Sequence, residues 1–156
     1  MNVLASARRI ARRWLTAQSP LRVGVVGYTD DWGEWSFDRG RARAILRVEL
    51  GRVAEANRGR TIEVVTGLTD MGIPKIAYEV AAEYGMICVG LASWKALNNP
   101  QVHVDKIILE GADWGDESET FLDYIDQLIK VGGGPQSEAE FKAFTGPKIE
   151  FPLERR

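Results

Sequence analysis

The chain has 156 residues, 45% apolar and 27% charged, with a formal net charge of −2, which suits one domain with a real core. No apolar run approaches the length of a membrane span, and the single cysteine, Cys88, excludes a disulfide framework or a cysteine-based metal site. Serine–histidine hydrolysis would have to run through the only histidine, His103, and no nucleophile-elbow motif accompanies it.

The first 28 residues hold five arginines and no acid, which leaves the rest of the chain at −7. Residues 1–18 read as a basic amphipathic helix. Val3, Leu4, Ile10, Ala11, Trp14 and Leu15 share one side, with Arg8, Arg9, Arg12 and Arg13 around the other. A transit peptide, a membrane-surface anchor and a packed first helix all fit this pattern; Trp14 favours a helix docked on the domain or on a second subunit. Leu21 to Gly27 reads as a strand, followed by the loop Tyr28 to Trp35. A helix from about Gly40 to Asn57 presents Ala42, Ile45, Leu46, Leu50, Val53 and Ala54 as its apolar face. Its arginines, Arg39, Arg41, Arg43, Arg47 and Arg52, are mixed with Glu49 and Glu55 and read as a solvated face. They form no continuous basic stripe, so no nucleic-acid partner is expected.

Thr61 to Val65 is a second strand, Gly72 to Tyr84 a helix with Pro74 in its first turn, and Met86 to Leu91 a third strand. Val104 to Leu109, the helix Glu117 to Ile125 and the strand Gln127 to Val131 follow. Ser137 to Phe144 is the last helix, and Lys148 to Phe151 can add an edge strand that Pro152 ends. This alternation predicts an α/β fold, a Rossmann-like three-layer sandwich with a mostly parallel central sheet, spanning residues 1–156 as a single nucleotide-binding domain. Ligands of such sheets bind beyond the C-terminal ends of the strands, where strand order reverses. Three unusual loops should share that rim: Tyr28 to Trp35, Thr66 to Gly72 and Gly132 to Ser137.

The last loop is the most informative. A strand that breaks into Gly132, Gly133 and Gly134 and then enters a helix makes a bed for an anion, because residues without Cβ admit a phosphate to free N–H groups at the positive end of the helix dipole. Ser137 is placed as N-cap and hydroxyl donor, Gln136 lies beside it, and Glu140, one turn on, can accept from a ribose hydroxyl. The plain alternative is a tight strand–helix turn. Thr66, Gly67, Thr69 and Gly72 offer a second set of donors. The aromatic and acidic segments Asp30-Asp31-Trp32-Gly33-Glu34-Trp35 and Asp113-Trp114-Gly115-Asp116-Glu117-Ser118 fall on the same rim. Tyr28 and Trp32 are candidates to contact a base, and the carboxylates to accept from it or to hold Mg²⁺ beside a phosphate.

Gly133-Gly134-Pro135-Gln136-Ser137-Glu138-Ala139-Glu140 resembles the Gly-Gly-x-Gly-Thr-x-x-Glu segment of the LOG-like (SLOG) superfamily, and Gly67 to Ala82 resembles its earlier glycine turn and small-residue helix. That superfamily includes the "lonely guy" phosphoribohydrolases, once described as lysine decarboxylases, the molybdenum-cofactor carrier proteins, the DNA-processing protein A domain and nucleotide sensors. The resemblance covers about Leu21 to Phe144. It implies the same Rossmann-like fold, a small nucleotide-like ligand and a homo-oligomer. In the phosphoribohydrolases an arginine and the motif glutamate act on the N-glycosidic bond; here Glu140 matches the glutamate, but Glu117 stands at the arginine position. Two readings follow: a cytoplasmic nucleotide carrier or sensor, or a hydrolase or transferase of the N-glycosidic bond with Glu140, Glu117 and Asp116 as its carboxylates. A third makes the domain an assembly module with a degenerate site.

Overall fold

A computed structural model describes residues 19–31 and 33–155. The amphipathic helix expected over residues 1–18, and Trp32, lie outside the described residues.

The apolar runs form six strands, β1 (Leu21–Gly27), β2 (Ile62–Thr66), β3 (Ile87–Ala92), β4 (Lys106–Leu109), β5 (Gln127–Val131) and β6 (Lys148–Phe151). All pairings are parallel, in the order β4-β3-β2-β1-β5-β6. Side chains alternate across the sheet as the pleat requires. Val23, Val25, Val64, Ile129 and Val131 face one core, and Val26, Val65, Val89 and Leu128 the other. Helices α1 (Arg39–Ala56) and α2 (Gly72–Glu83) cover the first face, and α3 (Ser118–Tyr124) and α4 (Pro135–Ala143) the second. The three-layer α/β sandwich predicted from the alternation is the fold observed, with every strand parallel. Among the described residues no helix is long and apolar enough to cross a membrane.

Three local differences have physical causes. The β3–β4 connection contains only a 3-10 turn, Trp94–Asn98, because Pro100 just beyond it restricts the preceding backbone and cannot continue a helix. Helix α4 begins at Pro135 with Gly134 as its N-cap, and Ser137 does not cap it. Proline's fixed φ and missing N–H suit the first helical position and draw the start forward. Asp116 does not cap α3 either. It lies against Gly111 and accepts the Asp113 N–H at 3.0 Å.

Strand order reverses between β1 and β5, which places the crevice of a parallel sheet at Gly27 and Gly132. The starts of α2 and α4 approach this point from opposite faces.

Candidate functional site

The two helix starts differ in what they leave free. At α2, the Ile73 N–H donates to the Tyr28 carbonyl at 2.7 Å, Pro74 has no N–H, and a Cβ on Gly72 would strike the same carbonyl at 2.3 Å. Beneath this turn the buried Tyr78 hydroxyl accepts from the Thr66 N–H at 3.2 Å and lies 2.8 to 2.9 Å from the carbonyls of Thr66, Gly67 and Val89. Thr66 is itself buried, and Thr69 forms a bridge with Gln101. This loop ties β1, β2 and β3 together, with the Gly67 and Gly72 N–H groups meeting no acceptor among the described residues.

At α4 the free donors run on into the helix. Gly132 donates its N–H to Phe151 at 2.9 Å. The next four N–H groups, those of Gly133, Gly134, Gln136 and Ser137, meet no acceptor among the described residues. Gly133 has φ 115°, and a Cβ there would sit 2.6 Å from that of Ser137, so only glycine fits. Gly134 has open space where its Cβ would be. The Ser137 hydroxyl donates to the Gly27 carbonyl at 3.3 Å and ties α4 to the end of β1. The result is a row of donors, unpaired among the described residues, at the positive end of a helix and open on its Gly134 side.

The fully buried residues of α4 are polar, Ser137 and Glu140, while Phe141 and the C-cap Phe144 pack on the core. A core-facing helix that buries polar side chains beside its apolar ones departs from the usual rule. Glu140 and Glu117 are each only 8% exposed. Glu117 accepts from the Gly115 N–H at 3.0 Å and from the Gln136 side-chain amide at 3.1 Å. Burial pushes the Glu140 carboxyl up to about 7; the charge of Glu117 pushes the same way, and a hydrogen bond from Ser118 opposes it. Glu117, Glu140, Gln136 and Ser118 thus come together at the open end of the glycine turn, while Asp116 remains exposed and bound to its own loop. No group of three or more His, Cys, Asp or Glu side chains among the described residues is placed to hold a metal ion. Mg²⁺ therefore stays an expectation tied to a bound nucleotide.

The sequence matches no protein-family model and no curated protein. Solved structures do resemble it. The Moco carrier protein from Chlamydomonas reinhardtii superposes with a TM-score of 0.63 at 21% identity, over 85% of this chain and 76% of that one. A second structure of the molybdenum cofactor carrier protein from that organism gives 0.57 at 18% identity, over the same shares. The structural-genomics target TM1055 gives 0.60 at 23% identity, covering 83% of this chain and 72% of its own. This chain shares their fold.

On this frame the C-terminal tail occupies part of the crevice. Leu153 is buried against Gly132 and accepts from the Tyr28 hydroxyl at 2.8 Å. Arg155 bridges to Phe37, donates to the carbonyls of Asp30 and Trp35, and stacks its guanidinium 4.0 Å over the Tyr28 ring and 5.1 Å over Trp35. The expected Tyr28 platform thus already carries a cation on its ring and a carbonyl on its hydroxyl. A cleft beside it, between Asp31 and the start of α2, has its charges matched in pairs: Arg39 with Asp31, Arg43 with Glu79 and Lys75 with Asp70. Sequence reasoning missed Leu153, Arg155 and Tyr78. The first two act across more than 100 residues, and Tyr78 reads in sequence as one more apolar helix position.

Proposed function

We propose that this protein binds a small phosphate-bearing ligand, a nucleotide or a close relative, on the N-terminus of α4, and that it carries or senses that ligand. The observation that carries this reading is the row of four unpaired N–H groups from Gly133, Gly134, Gln136 and Ser137 beside the open face of Gly134. Such groups are rarely left unpaired in folded proteins unless water or a ligand takes them. The carrier proteins of like fold support the carrier role; by their names they handle a molybdenum cofactor. A cytoplasmic homo-oligomer belongs to the same proposal.

A thermal-shift panel of nucleoside mono-, di- and triphosphates, with and without Mg²⁺, tests the binding. A ligand at a hundred times its dissociation constant stabilises by about 2.7 kcal/mol. The matching variant is Gly134→Asp. Asp is a good N-cap and Gly134 has room for it, so the fold survives while the added carboxylate repels the phosphate. Ligand stabilisation should vanish in this variant, and its persistence would rule out the α4 site.

A second reading rests on a different observation, the buried carboxyl pair with Glu140 near 7. As a hydrolase, protonated Glu140 would donate to the departing base as the C–N bond breaks, Glu117 would stabilise the oxocarbenium-like centre, and water would add to the sugar carbon as its proton passes back to Glu140. Free base released from AMP, lost in Glu140→Gln, would establish this reading; intact AMP after prolonged incubation leaves the carrier.

A further inference from the structure

Two tryptophans stand in solvent on neighbouring rim loops, Trp94 at 59% exposure after β3 and Trp114 at 52% after β4. The loops are joined. The Trp94 N–H donates to the Gly111 carbonyl at 3.0 Å, and Lys95 pairs with Asp113 at 2.8 Å. Each indole is a large apolar surface left in water, at about 25 cal/mol per Å² of area that a partner would cover. On the other side of the rim Arg155 already lies over the Tyr28 and Trp35 rings, with Trp35 still 45% exposed. Trp94 and Trp114 have no ring or cation partner among the described residues.

The backbone turn that carries Trp114 is tied to the start of α4. Trp114 is the second residue of the turn Asp113 to Asp116, which the Asp116 N–H closes on the Asp113 carbonyl at 3.1 Å. Gly115, third in that turn, has φ 95°, the left-handed conformation a type II turn requires there. The Gly115 N–H donates to one oxygen of Glu117, and the other oxygen accepts from Gln136 in the first turn of α4. One residue past the indole, the backbone is therefore a single carboxylate away from the helix whose N–H groups are free.

We propose that Trp94 and Trp114 are the stacking platform for a planar heteroaromatic ring, so that the ligand is a heteroaromatic phosphate ester of the nucleotide kind, not a bare sugar phosphate or an inorganic anion. This rests on the α4 reading above and adds what recognises the far end of the same molecule. Base–indole stacking is tolerant of which base is present, so the pair selects for a ring and leaves its edges to other groups.

Calorimetric titration of AMP and of ribose 5-phosphate into the wild type, Trp94→Ala, Trp114→Ala and Gly134→Asp separates the two claims. Both indoles are solvent-exposed, so their removal leaves the core intact. The wild type should bind AMP more tightly than ribose 5-phosphate. Each tryptophan variant should lose about tenfold or more for AMP with ribose 5-phosphate unchanged, and Gly134→Asp should lose both ligands. Equal wild-type affinities, or an AMP affinity indifferent to both tryptophans, would overturn the platform and leave the α4 site standing. A tryptophan variant that weakens both ligands equally would overturn it too. Undiminished binding in Gly134→Asp would remove the α4 site, and this assignment with it.

Discussion

Because Glu140 is buried beside Glu117, folding takes up a proton between pH 4.5 and about 7. The sign follows from linkage: a carboxyl whose folded pKa lies above its unfolded value favours the folded state below the unfolded pKa, and that contribution is lost as pH rises through the folded one. Stability should therefore fall from pH 5 to pH 8, by about 3 kcal/mol at most from this group. Glu140→Gln should flatten the fall and raise the urea midpoint at pH 8; a variant with the wild-type pH dependence would show that the carboxyl is not buried as described. The glutamate was legible in the sequence as part of the glycine-turn motif. Its surroundings were not, because Glu117, whose charge raises its pKa, and Ser118, whose hydrogen bond lowers it, arrive from the start of a different helix.

At the scale of elements, the glycine turn shows how far local patterns reach. The strand, the glycines and the following helix were all readable, since an apolar run, left-handed backbone and helical periodicity are local signals. The cap was misread because Ser137 is a good N-cap by type, while Pro135 two residues earlier is a better first helical residue. The tail from Pro152 to Arg155 was not readable at all. Its hold on the β1 loop depends on Leu153 and Arg155 meeting Tyr28, Trp35 and Phe37 across the molecule. Leu153 is 6% exposed, so Leu153→Ala should cost about 2–4 kcal/mol. Hydrogen exchange should also quicken in residues 28–37. Destabilisation below about 0.5 kcal/mol, with exchange unchanged, would show that the tail is not a structural strap.

Over the whole molecule, the alternation of strands and helices led directly to the parallel sheet and to its ligand rim, because a parallel pair needs a crossover and the crossovers carry the helices. What the alternation does not contain is which rim donors are already spent: the glycines at α2 and at α4 look alike in sequence, and only the packing shows that at the first turn Tyr28 takes the Ile73 N–H and Tyr78 the Thr66 N–H. The segment 1–18 belongs to this scale as well. Its basic, amphipathic sequence fits an interface more than a ligand site, so its removal should change the sedimentation behaviour and leave AMP affinity within about twofold, a difference near 0.4 kcal/mol. A large loss of affinity with unchanged sedimentation would place the segment at the ligand site instead.

The central claim is that the free N–H groups at the start of α4 receive the ligand's phosphate. Amide chemical shifts of the ¹⁵N-labelled protein during titration with AMP report on those groups one by one. Gly133, Gly134, Gln136 and Ser137 should shift the most as their N–H groups acquire an acceptor, while Ile73 at the α2 turn, whose N–H the Tyr28 carbonyl already holds, should move little. Saturable binding that leaves those four signals in place and moves Ile73 would contradict the claim.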